Sequence, residues 1–308
     1  MKFMKPAVYS GLIKPNRKRA LFSSISAWIL ILPSLILLYM IVWQPMILGT
    51  KYSFYKMQGY TPQHFVGLNN YVRVIQDTQF LRTLGNTFSY VFWSLVIGFI
   101  PPVLFAIITN ELIHLSKFIK TSIYMPCIIP TIAVTMIWFY MYYPNEGGLL
   151  NMLLSAFGVA PQPWLQDASK VIPLIIITMT WHHFGSTTIT YIACLQGVNQ
   201  ELYEAAIIDG AGILKRVRFV TMPQIMPIIL LNLVRQIIGI FQVFEMPFVM
   251  TGGGPNNASL SLALQSYRYA FVFGNTESAL ALSCITFIIL LVITAFYFRL
   301  EKKLDRDV

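Results

Sequence analysis

Six nearly unbroken apolar blocks alternate with polar segments along the chain, at about 25–48, 86–109, 121–142, 171–194, 226–248 and 278–300. A spanning helix needs about 20 largely apolar residues, and each block supplies them. The pattern predicts an all-α polytopic membrane protein of six transmembrane helices. The polar segment between the fourth and fifth blocks, about 195–225, carries a helix signal of its own. Asn199 suits the cap of a helix starting at Gln200, with Glu201 in its first turn, and Gly210 suits the left-handed position that ends it. On that helix Leu202, Ala205 and Ala206 share a face, with Glu204 and Ile208 one step round. Paired alanines let another surface approach the backbone closely, and the glutamate can accept hydrogen bonds at the rim. Beyond Gly210, the run Lys215-Arg216-Val217-Arg218 predicts a second short basic helix, ended by Pro223. An amphipathic helix lying on a leaflet, with its cations toward headgroups, fits the same segment. Physical chemistry alone leaves the two readings even.

Composition agrees with the pattern. The 308 residues are 56% hydrophobic and 11% charged, where a soluble domain carries about 25% charged residues. Lys and Arg set the orientation. With the N-terminal tail inside, inner segments hold fifteen of them and outer loops six, so both termini are expected to be cytoplasmic. This divides the chain into a tail at 1–24, a transmembrane domain at 25–300 and a tail at 301–308. The net charge of +10 then follows from basic residues flanking spans; no exposed basic domain exists for nucleic acid to bind. The first apolar block is too long for a signal-peptide core and is read as a retained span. Cys127, Cys194 and Cys284 lie in or beside apolar blocks without paired spacing, which excludes a disulfide framework and a zinc site. The first outer loop is the longest, and Gly67–Asp77 within it predicts a short surface helix. Pro101, Pro102, Pro126 and Pro130 predict bends in spans two and three.

Candidate pathway groups concentrate on two spans. In span five, Asn232, Arg235, Gln236, Gln242 and Glu245 fall within about half the helix circumference. Ionisable residues at membrane depth usually face a bundle interior or an aqueous cavity, so these are expected to line a translocation route; hydrogen bonding between packed spans is the alternative. In span four, His182 and His183 are adjacent and point different ways, which excludes a two-histidine metal site. One is expected to line the pathway while the other bonds a neighbouring helix. Gly252-Gly253-Gly254-Pro255 lacks the lysine of a phosphate loop and predicts a turn with positive φ. No HExxH or GxxxxGK[ST] segment occurs, so neither a metalloprotease nor a nucleotide-binding loop is expected. No catalytic constellation converges at membrane depth, which disfavours a membrane-embedded enzyme. An ion-coupled carrier would show repeats and broken helices, and no internal repeat is evident.

The spacing Glu204-Ala205-Ala206, then Gly210, then Val220, Met222 and Pro223 resembles the motif of ABC-importer permeases. The runs ELYEAAIIDGAG, FQVFEMPFVMTGGGP and SYRYAF with ESALALS resemble the carbohydrate-uptake branch, which includes maltose-type and glycerol-3-phosphate-type permeases. The resemblance is specific over roughly the last 130 residues. It implies a chain that transports rather than catalyses, in a bacterial cytoplasmic membrane, carrying a mono- or oligosaccharide. Glu204, Ala205, Ala206, Gly210 and Pro223 would form the ATPase-coupling element, a cytoplasmic coupling helix between spans four and five. The implied partners are a second permease subunit, usually a different chain, two cytoplasmic ATPases that bind ATP and Mg, and an external solute-binding protein. This chain would bind no cofactor itself.

Overall fold

The computed structural model describes residues 17–111 and 116–304. Most of the two expected tails lies outside the described residues. The chain divides into two compact units, residues 1–51 and 52–308. The first holds α1 (Arg17–Leu38), a π-turn at Tyr39–Trp43 and α2 (Gln44–Tyr52). These run on as a 26-residue apolar helix, Ala27–Tyr52, none of it buried.

The second unit begins with a feature the apolar pattern missed. Within the expected first outer loop of an all-α chain, an antiparallel hairpin forms from β1 (Tyr55–Gln58) and β2 (Thr61–Phe65). Gly59, at φ +60°, makes the turn between the strands. The rings of Tyr55 and Phe65 pack across it at 5.5 Å, a cross-strand aromatic pair that a helix at this spacing would forfeit. The expected surface helix follows as α3 (Asn69–Gln76). Then come α4 (Thr78–Trp93), a π-turn at Ser94–Phe99 and α5 (Ile100–Glu111), forming a 33-residue rod, Thr78–Asn110. It starts eight residues before the expected span because Asp77 caps it, its Oδ1 accepting from Gln79 N at 2.9 Å. At about 50 Å the rod exceeds the ~30 Å hydrocarbon core, so its first turns reach into the polar zone.

The third span is not one helix. It is broken into α6 (Ser116–Ile128) and α7 (Thr131–Met141), bent by 94°. Pro130 lacks an N–H and excludes its predecessor from helical geometry, so the helix stops there. His182 and Cys127 bond across the break: the His182 Nε2 lies 2.9 Å from Ile129 O, and Cys127 Sγ donates to His182 O at 2.9 Å. Beyond α8 (Leu149–Ser155), the 26-residue α9 (Val171–Gln196) occupies the centre of the unit. It packs on α4, α5, α6 and α7 and buries eleven residues. Gly185 makes the closest of these contacts, since a Cβ there would stand 2.0 Å from Ile123 O of α6.

α10 (Gln200–Ile208) follows, then α11 (Ile213–Arg216), a π-turn at Val217–Thr221 and α12 (Met222–Phe241). The expected second basic helix is not separate: residues 213–241 form one 29-residue apolar helix through Pro223. The reason recurs along the chain. Pro45, Pro101 and Pro223 each stand two residues after a π-turn. The carbonyl four residues before each proline, which its ring would otherwise strike, lies inside that wider turn. A proline so placed continues the helix.

Span five also ends earlier than expected. Its helix stops at Phe241 rather than 248, and the chain restarts as α13 (Glu245–Thr251), closed by Gly252 at φ +56°. Gly253, at φ +91°, completes the expected turn. α14 (Leu262–Tyr267), a π-turn at Arg268–Val272 and α15 (Thr276–Leu304) end the described chain. Among the described residues, four helices can cross a membrane by length and composition, or five if the bent α6–α7 pair is one span. α9 has the length, but its threonines, serine and two histidines keep it off that count.

Candidate functional site

A cavity of about 550 Å³ opens between the α4–α5 rod, α9 and α12. The wide turn at Ser94–Phe99 and the small Gly98 leave room on the rod side. A Cβ on Gly98 would stand 3.0 Å from Thr180 Oγ1 and 3.2 Å from Gln236 Nε2, so the glycine lets α9 and α12 approach. α9 contributes Thr180, His183, Ser186, Thr187 and Thr190 at one- and two-turn spacing, and α12 contributes Asn232, Arg235, Gln236 and Gly239. Hydroxyls, amides, an imidazole and a guanidinium therefore converge between apolar helices. Such convergence of a few polar groups in a largely apolar pocket is the usual signature of a small-molecule site.

Individual positions differ in their commitments. Gln236 Nε2 donates to Ser94 O at 2.7 Å, bracing the wide turn. Arg235 is exposed to the cavity and has no ion-pair partner among the described residues. Asn232 lines the cavity, and behind it its side chain faces the fully buried Tyr191 hydroxyl of α9. The two histidines face different surroundings, His182 being 4% exposed and bonded to the α6–α7 break, while His183 lines the cavity. Gln242 and Glu245 do not join it. The helix that would have carried them round to the same face ends at Phe241, so Gln242 becomes its C-cap and Glu245 opens α13; both are exposed. Ser94 and Gly98 were invisible in the sequence because nothing in an apolar run marks a π-turn. Thr180, Ser186 and Thr187 are polar residues of span four that meet at one wall only through the packing of α9 on its neighbours.

The second candidate element is α10. Asn199 Oδ1 accepts from Glu201 N at 3.1 Å, Gly210 takes φ +75°, and Ala211 N donates to Ala206 O at 2.9 Å, closing the helix as anticipated. None of its residues is buried. Tyr203, not singled out by sequence, lies 3.1 Å from Thr221 Oγ1 at the foot of α12 and so ties α10 to a cavity-lining helix. Glu204 and Ala205 are exposed, as are Ile207, Ile208, Ile213, Leu214 and Phe219; Ile208 and Leu214 reach 85% and 86%. Pro223 sits in the first turn of α12.

Residues 103–306 match the family of binding-protein-dependent transport system inner membrane components. The chain belongs to that family. The permease is 32% identical over 277 residues to the trehalose/maltose transport system permease protein MalF of Thermococcus litoralis, covering 89% of this chain and 93% of that one. It is 30% identical to the lactose transport system permease protein LacF of Rhizobium radiobacter, over 92% and 96% of the two chains. A solved bacterial ABC transporter involved in import of the acidic polysaccharide alginate superposes with a TM-score of 0.82 at 26% identity, over 92% of this permease and 99% of that chain. The same transporter type has been solved with an alginate pentasaccharide-bound periplasmic protein, superposing at 0.83. The permease is thus a multi-pass transport component of the inner membrane and not an enzyme.

Proposed function

We propose that this permease forms half of the translocation route of an ABC importer for a mono- or oligosaccharide. The observation that carries the reading is the α9–α12 cavity, whose hydroxyls, amides and unpaired Arg235 suit a polyhydroxylated solute and have no use in an apolar bundle. Relatives named for trehalose/maltose, lactose and alginate transport support the solute class. In this reading α9 crosses the membrane despite its polar content, because its polar side faces the cavity, and α6–α7 makes the sixth crossing. Both termini and α10 then lie in the cytoplasm. The exposed apolar skin of α10 and α11, beside Glu204 and Ala205, is covered by an ATPase subunit that carries ATP and Mg. Closure of the ATPase pair moves α10, and the Tyr203–Thr221 contact passes that movement to α12 and Arg235. A second permease chain supplies the other wall, and a periplasmic binding protein delivers the solute.

The test is uptake of labelled trehalose, maltose and lactose into proteoliposomes holding the permease with its partner subunits and ATP inside. ATP-dependent uptake that needs the binding protein supports the reading. Uptake that persists without the ATPase subunits and follows an ion gradient replaces it with an ion-coupled carrier.

A further inference from the structure

α3 is unusual in presenting three different faces. One is turned into the protein: Val74 is 1% exposed, and Asn70 Nδ2 donates to Ser53 O and Tyr55 O at 2.8 and 2.9 Å. The second is mostly polar, with Asn69, Arg73 and Gln76, and Val72 at its edge, bordering a cavity of about 560 Å³ that Asp77, Tyr269, Asn275 and Ser278 help to close. Burial and the neighbouring Asp77 carboxylate push the Tyr269 phenol up to about 12, so the ring remains a hydrogen-bond donor to that carboxylate across the physiological range. The third face is aliphatic and uncovered. Leu68, Val72 and Ile75 are 64%, 47% and 54% exposed, and their spacing of four and three puts them on one stripe.

The surroundings say what covers that stripe. α3 packs against the first turns of the spanning helix α15: Arg73 Nη1 lies 3.6 Å from Glu277 Oε1, and Val74 shares a core with Ala281 and Leu282. One residue after α3, the Asp77 cap starts the rod that crosses the membrane at Thr78–Asn110. α3 is therefore held at the level where two spans begin. A helix with one aliphatic stripe and an adjoining polar face at that level has the pattern of an interfacial helix, with its apolar side chains sunk into the headgroup–acyl boundary. The stripe holds no aromatic or hydrogen-bonding side chain of the kind that anchors a protein partner. We infer that α3 is a membrane-surface anchor whose Leu68, Val72 and Ile75 enter the acyl region of the leaflet on this side. It fixes the depth of the β1–β2 hairpin and the tilt of the rod that walls the solute cavity.

The experiment places the photoreactive residue p-benzoylphenylalanine at Val72, at Ile75 and at Asn69 in the full complex, reconstituted in phosphatidylcholine vesicles with the binding protein present. Irradiation is expected to give phospholipid adducts at Val72 and Ile75, seen by mass, and little at Asn69. Adducts at Val72 and Ile75 to the binding protein or to another permease chain would overturn the proposal, as would equal lipid labelling at all three positions. The unsubstituted complex provides a second reading with lipids bearing a diazirine in the acyl chain. Labelled peptides should then include residues 68–76, and their absence alongside labelled α15 peptides would also sink the idea.

Discussion

α9 and α10 are consecutive helices separated by three residues, and they account for their side chains in opposite ways. α9 buries eleven residues against its own chain and keeps one polar strip for the cavity. α10 buries none and leaves isoleucines and alanines in the open. Most side chains of α9 are accounted for by a neighbour or by the cavity they face. The apolar residues of α10 are covered by nothing among the described residues, and the proposed function assigns that covering to a partner subunit. Substitutions at the buried positions of α9 should therefore damage the protein itself, whereas those on the exposed face of α10 should damage its work with partners.

The largest effect is expected from Gly185→Val. Its branched side chain would meet the backbone of Ile123, which cannot move aside as a flexible side chain can. Overpacking of this kind costs about 3 kcal/mol or more, so folded protein recovered in detergent should fall close to zero. Normal recovery would remove the case for α9 as the packed centre. Next, Glu204→Lys on α10 should leave membrane level and melting behaviour unchanged, yet reduce ATP-driven uptake by at least about tenfold, the equivalent of about 1.4 kcal/mol of coupling. A matching loss of thermal stability would make α10 an internal structural element after all.

The histidine pair sharpens the contrast within α9 itself. His182→Ala should destabilise by about 1–3 kcal/mol, because the Ile129 carbonyl at the α6–α7 break loses its side-chain partner. His183→Ala should change stability by less than about 0.5 kcal/mol and act on uptake instead. Melting curves and transport rates measured on the same preparations separate the two. Asn199→Ala is the mildest, with loss of the α10 cap worth about 1 kcal/mol locally. It should appear as faster hydrogen exchange in residues 200–208, without altered exchange in α9.

The elements legible in the sequence were those fixed by local chemistry. Apolar runs marked the helices, Asn199 and Gly210 bracketed α10 almost to the residue, and the glycines at 252 and 253 announced their turn. Where the reading slipped, the deciding group lay elsewhere in the chain or in the backbone register. Pro130 breaks its helix, while Pro101 and Pro223 do not. Pro101 and Pro223 each follow a π-turn by two residues, which composition does not encode, while Pro126 and Pro227 sit inside their helices without one. Gln242 and Glu245 extend the polar pattern of α12 on a helical wheel, yet the helix had already ended at Phe241. The hairpin was hidden because its strands are too short for their alternation to stand out.

From the sequence alone came the membrane, the run of apolar helices and the caps that bracket α10, since hydropathy and caps act over a few residues and need no distant partner. The tertiary structure decided which polar groups meet. Thr180, His183, Arg235 and Gln236 share one cavity only because Gly98 and the wide turn at Ser94 let two helices close on a third. Convergence of that kind depends on where helices stop and how nearly they approach, and both are set by packing between segments far apart in the chain.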